Sequence, residues 1–111
     1  AQAIVSASPR KIVEKVASAL GDVFAVLVTG DDGVGAKPDP LPYATAVERL
    51  DLSPEDCVVV EDSPTGAASA RGNGIHVVQI GSQKHFPADP GLVVVPDLAS
   101  ITPHLLLWAQ R

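Results

Sequence analysis

The chain has 111 residues, 46% hydrophobic and 19% charged, a globular balance at a length that suits a single domain over 1–111. Eight Lys and Arg against thirteen Asp and Glu leave a net charge of −5, and an acidic surface repels phosphate backbones, so no nucleic-acid partner is expected. No apolar run approaches the ~20 residues that cross a bilayer and no signal-peptide pattern opens the chain; the expectation is a cytoplasmic protein with no membrane partner.

Short β-rich runs alternate with segments of helical period, the pattern of βαβ units and a parallel sheet. Ala3-Ile4-Val5 is the first strand. Ser8-Pro9 then reads as N-cap and first helical residue, and the helix to Leu20 places Ile12, Val13, Val16, Ala17 and Leu20 on one face, ended by Gly21. Val23 to Val28 reads as a strand covered on both sides. Thr29 to Pro40 is a Gly/Asp/Pro-rich loop, and the helix from Leu41 to Leu50 carries Tyr43, Ala46, Val47 and Leu50 inward. A capped turn at Ser53–Asp56 leads into Val58-Val59-Val60, a second buried strand, with Cys57 beside it as a buried, inert thiol. Ser63-Pro64 starts another helix, whose Ala67, Ala68 and Ala70 permit close packing; Gly72 and Gly74 stop it. Ile75–Ile80 and Leu92–Val95 are the remaining strands. Leu98–Trp108 is a closing helix with Ile101, Leu105 and Trp108 inward.

In open parallel sheets ligands gather beyond the carboxyl ends of the strands. The polar residues there are Ser6, the Thr29–Lys37 loop and Glu61-Asp62-Ser63. Paired carboxylates at a strand end suit Mg²⁺, which takes one or two of them and keeps several waters; taken in isolation, a solvated acidic loop favoured by the next helix dipole is the better account of them. Lys37, followed by Pro38-Asp39-Pro40, is an ammonium on stiffened backbone that could meet phosphoryl charge, or an ordinary surface lysine. Ser6, with backbone donors near it, could hold phosphate oxygens or cap a turn. Gly33-Val34-Gly35-Ala36-Lys37 lacks the spacing of a nucleotide P-loop, no Gly-x-Ser-x-Gly occurs, and His76 (on a strand facing water), His85 and His104 show no zinc spacing.

The order and spacing say more than any one residue. Ile4-Val5-Ser6-Ala7-Ser8, then Lys37-Pro38-Asp39-Pro40 with Tyr43 following, then Val58-Val59-Val60-Glu61-Asp62-Ser63-Pro64-Thr65-Gly66-Ala67 resemble the second, third and fourth motifs of the haloacid dehalogenase superfamily. Within it the likeness is to phosphatases and mutases of the β-phosphoglucomutase and sugar-phosphate phosphatase group. The resemblance covers nearly the whole chain and implies a Rossmann-like parallel sheet with flanking helices. It implies catalytic roles for Ser6 and Lys37, phosphate contacts from Ser6, Ala7 and Lys37, Mg²⁺ at Glu61 and Asp62, and a small phosphorylated substrate.

The family's nucleophile and its acid–base partner lie in an Asp-x-Asp-Gly motif on a central strand, preceded in role by nothing found here: no Asp-x-Asp occurs among these residues, and Asp31-Asp32-Gly33 has the wrong spacing. The chain also enters a strand within two residues of Ala1. The expectation is therefore a partial core that lacks the nucleophile strand and the cap, has no nucleophile, and is inactive alone. The gap between the Ser6 strand and the Glu61 strand is expected to be filled by an N-terminal segment or a second chain, or closed by rearrangement. Two other classes stay open: a non-catalytic Mg²⁺- and phosphate-binding or interaction module, and a receiver-like phospho-acceptor, for which Asp62 is a poor candidate.

Overall fold

A computed structural model describes residues 1–81 and 89–107. In chain order the elements are β1 (Ala3–Val5), α1 (Arg10–Ala19), β2 (Val26–Val28), α2 (Leu41–Arg49), β3 (Val58–Glu61), α3 (Pro64–Arg71), β4 (His76–Ile80), β5 (Leu92–Val95) and α4 (Pro103–Leu107), with 3₁₀ turns at Pro54–Asp56 and Leu98–Ser100. Every strand pairing is parallel, as the alternation of strands and helices requires. The expected α/β architecture is what is found.

The sheet is in two pieces. β1 pairs with β2, and β3, β4 and β5 pair in that order; β1 and β3 are not bonded to each other. Rearrangement has not closed the gap. What bridges it is α2, which packs on β1 and β2 and also against α3. The core cluster follows from that bridge: Tyr43 and Val47 of α2 meet Ala67 and Ala70 of α3 and Ile75 and Val77 at β4. Ala67 and Ala70 are 2% and 0% exposed, so the small side chains do let α3 lie close on the sheet.

Where burial departs from expectation, the split sheet is the reason. β3 was expected to be covered on both faces, yet Val58 and Val59 are half-buried and Val60 is exposed, because one edge and part of one face look into the gap. On α1 only Val13 and Ala17 are buried; Ile12, Val16 and Leu20 stand 53%, 48% and 58% exposed. The helix packs on β2 of the narrow two-stranded piece, which accepts a single stripe of side chains.

The remaining differences are local. Pro9, not Ser8, caps α1, with no side-chain cap bond; the Ser8 amide donates to Ser6 Oγ instead, and its carbonyl accepts from Gly30. β2 begins at Val26 because Val23 is exposed and Ala25 is the first residue to reach the β1 segment, donating to the Gln2 carbonyl. The single closing helix is two short pieces: Asp97 accepts from the Ser100 amide and caps the start of the 3₁₀ turn, and Pro103, which lacks a backbone donor, restarts the helix. Ile101 and Leu105 are half-buried; Trp108 and His85 lie outside the described residues. Cys57 precedes β3 and is half-buried rather than enclosed, its thiol pushed up by burial and then by the charges of Asp56 and Glu55.

This burial map orders the stability effects of truncation. Ile75→Ala, at a site 0% exposed, should lower stability by about 2–4 kcal/mol; Ile12→Ala, at the exposed stripe, should change it by less than about 0.5 kcal/mol. Urea titrations of the two variants check the ranking.

Candidate active site

Between β1 and β3 runs a groove of about 920 Å³, walled by residues 1–6 on one side and 56–62 on the other, with Tyr43, Ala46 and Val47 of α2 along it. Its carboxyl-end rim gathers Ser6, Lys37, Glu61 and Asp62. These residues come from three separate stretches of chain, and the sheet ends bring them together.

Lys37 spans the mouth. Its Nζ donates to the Val5 carbonyl at 3.1 Å and to Glu61 Oε1. The Ser6 amide bonds to Val28 of β2, so alternation along the strand turns the polar groups of Val5 the other way, into the groove. One ammonium thus holds the open edge of β1 and the end of β3 at once. Its nitrogen also lies 5.0 Å from the centre of the Tyr43 ring, within the range of a cation–π contact.

Glu61 is 7% exposed, an unusual position for a carboxylate unless it is paired. Oε1 accepts from Lys37 Nζ and from the Tyr43 hydroxyl. Oε2 is held more loosely, by the Asp62 amide at 3.2 Å and the Ser63 hydroxyl at 3.4 Å. Burial alone would push this carboxyl up, but the bonds from Lys37 and Tyr43 and the lysine's charge outweigh it and hold it below the usual range. Tyr43 is driven the other way, chiefly by burial and then by its bond to the Glu61 carboxylate.

The first turn of α3 closes over this carboxylate. Ser63 caps the helix, its Oγ accepting from the Gly66 amide at 3.1 Å, and Gly66 lies so near Glu61 that a Cβ there would overlap the carboxylate itself. Asp62, the next residue, is exposed at the rim. Ser6 is half-buried with its Oγ facing the Ser8 amide at 3.1 Å. Ala7 is exposed on the following turn, its carbonyl against Gly30.

Asp31 and Asp32 are occupied elsewhere. Asp31 accepts from the Arg10 amide at the start of α1, and Asp32 accepts from the Thr29 amide and the Arg10 guanidinium; the Thr29 bond, the largest influence, opposes burial and together with Arg10 holds Asp32 below the usual carboxylate range. They pin the loop after β2 to α1. Among the described residues no three His, Cys, Asp or Glu side chains form a metal-binding group; the oxygens on offer are those of the Glu61–Asp62 pair, hard donors at a strand end of the kind Mg²⁺ accepts together with water. Tyr43 is the site residue that periodicity hid: an inward position on α2 reads as core, and only its hydroxyl signals a second task.

A family model for haloacid dehalogenase-like hydrolases matches residues 2–74. The chain is 38% identical over 77 residues, 68% of its length, to validoxylamine A 7′-phosphate phosphatase of Streptomyces hygroscopicus subsp. limoneus, and 34% identical over 95 residues, 83% of its length, to β-phosphoglucomutase of Bacillus subtilis. It spans only 36% and 41% of those relatives. Among solved structures, CbbY of Rhodobacter sphaeroides in complex with phosphate superposes with a TM-score of 0.75 at 28% identity, over 88% of this chain and 47% of that one.

Two outcomes follow from the packing around Glu61. Gly66→Ala gains helix propensity but forces the carboxylate aside, and should destabilise by about 1–3 kcal/mol in chemical denaturation. Because the Glu61 carboxyl is depressed in the folded state from an ordinary value of 4.5, its stabilising contribution is present above that value and is lost as pH falls through the lower folded one. Glu61→Gln should therefore flatten the fall in stability as pH drops below the ordinary value of 4.5, measured by urea unfolding at each pH.

Proposed function

Because the chain belongs to the haloacid dehalogenase-like hydrolase family, we propose that its rim is the phosphate- and metal-holding half of a phosphatase site for a small phosphorylated metabolite, such as a sugar phosphate. The observation that carries this reading is the Lys37 ammonium, held at the mouth of the groove between the end of β1 and the buried Glu61. A fixed cation there meets the negative charge of a phosphoryl group without having to be reorganised as the reaction proceeds.

The other roles follow from position. The Ser6 hydroxyl and the Ala7 amide would donate to the remaining phosphoryl oxygens. Asp62, with Glu61 Oε2 beside it, would hold Mg²⁺, and the ion would offset charge on the phosphate when bound. Phosphoryl transfer in this family begins with attack by an aspartate carboxylate on phosphorus, giving an aspartyl-phosphate that water cleaves. No Asp-x-Asp occurs among these 111 residues, so the nucleophile would arrive on an extended segment lying in the groove, from an N-terminal stretch or from a second chain. Validoxylamine A 7′-phosphate phosphatase, β-phosphoglucomutase and the phosphate complex of CbbY are consistent with the substrate class.

The second reading is a binding or interaction module on the same fold, which would use the same rim without turnover. The two readings agree on binding and differ on turnover once a strand bearing Asp-x-Asp is supplied. For the 111-residue chain, calorimetry should detect inorganic phosphate binding that depends on Mg²⁺, weakened at least about tenfold by Lys37→Ala or by Asp62→Asn, the loss of one charge-assisted contact. Release of nitrophenol from p-nitrophenyl phosphate should stay at background. Phosphate binding indifferent to both substitutions, or turnover by the chain alone, would sink the proposal.

A further inference from the structure

Tyr43 lies on α2, six residues beyond Lys37, in the core cluster with Val47, Ala67 and Ile75. Packing accounts for its ring but not for its hydroxyl. Phenylalanine would fill the same volume without bringing a polar group to a site 7% exposed. The hydroxyl is engaged: it donates to Glu61 Oε1, the same oxygen that receives Lys37. The ring meanwhile lies 5.0 Å from the lysine nitrogen. Tyr43 therefore touches both members of the ion pair, one through its edge and one through its face.

We propose that Tyr43 is a positioning residue for the Lys37 ammonium: its phenol fixes the Glu61 carboxylate, its ring backs the lysine, and together they keep one ammonium hydrogen free for a phosphate at the rim. The count of donors supports this. An ammonium has three hydrogens, and two are engaged by the Val5 carbonyl and Glu61. Lysine is a flexible stem with a point charge, so an aimed third hydrogen requires the carboxylate that holds it to be immobile. With the phenol removed, Oε1 has only Lys37 to compensate it, and the ammonium is drawn further into Glu61 at the expense of an incoming anion. The role rests on the phosphate reading of Lys37 given above, and the test separates the two.

Tyr43→Phe keeps the ring and the core. In protein labelled with ¹⁵N at lysine, the Lys37 ammonium signal should exchange with water about tenfold more slowly than in the parent, and the Kd for inorganic phosphate with Mg²⁺ should rise about tenfold, the loss of one hydrogen bond to a charged group. The melting temperature should fall by about 5–15 °C, the loss of one buried hydrogen bond to a charged group, while unfolding stays cooperative. Because Tyr43 is the only tyrosine, fluorotyrosine incorporation gives one ¹⁹F signal in an otherwise unchanged chain, and that signal should move when Lys37→Ala is introduced. An ammonium exchange rate and phosphate Kd unchanged in Tyr43→Phe overturn the inference, as does a ¹⁹F signal blind to Lys37→Ala. If Lys37→Ala leaves phosphate binding intact, the phosphate reading falls, while the exchange rate and the ¹⁹F signal still decide the coupling of Tyr43 to Lys37.

Discussion

A carboxylate buried at the end of a strand is the constraint around which this molecule is arranged. Glu61 is nearly enclosed, and an ionised group so placed must be compensated from every side or it will protonate. Lys37 compensates it from the loop after β2, Tyr43 from α2, and the Asp62 amide and Ser63 hydroxyl from the entry to α3. These groups lie 24, 18, 1 and 2 residues away in the chain. Satisfying one acid thus ties the loop, two helices and a strand to a single point, and Gly66 is the residue that lets α3 come close enough to complete the enclosure.

The same network explains how a sheet in two pieces keeps its alignment. β1 and β3 share no ladder, so nothing in the strands sets their spacing. Two other devices do. α2 lies across both halves and contributes Tyr43 and Val47 to the core, while Lys37 links the Val5 carbonyl to Glu61 at the carboxyl ends. The apolar helix works along the length of the groove and the ammonium at its mouth. The edge groups that face the groove need not remain orphaned, since an open channel leaves them to water. This is the physical reason a gap can persist where a closed, dry one would lose about 1–3 kcal/mol for each unpaired group.

The strands and helices were legible because their signals are local. β-branched runs such as Val58-Val59-Val60 and the helix starts at Ser63-Pro64 act within a few residues, and the fold class follows from their alternation. The rim was legible too, because parallel strands send their carboxyl ends to one side, which puts Ser6, Lys37, Glu61 and Asp62 within reach of one another. Burial was much less so. Ile12, Val16 and Leu20 have the right period for a core face, but period says which side of a helix is apolar and not how wide a surface receives it. Ser8 was a plausible cap until Gly30 and Ser6 claimed its backbone. The two roles of Tyr43 were invisible for a related reason: an apolar ring at an inward position gives the same pattern whether or not its hydroxyl is used.

Charge gives the site its selectivity in this reading. A protein of net charge −5 repels anions over most of its surface, so a phosphorylated ligand gains from this molecule only where positive charge is concentrated. At this rim that charge is already committed: the Lys37 ammonium neutralises Glu61 before any ligand arrives. Its remaining attraction is directional, delivered through a hydrogen bond more than through free charge. Asp62, exposed beside it, adds a negative charge that would oppose an anion unless a divalent cation covers it. On the proposed reading, phosphate and metal would each be poor ligands alone and good ones together. Cooperative binding of the two would then follow, on that same reading, from an acidic pair and one spoken-for lysine.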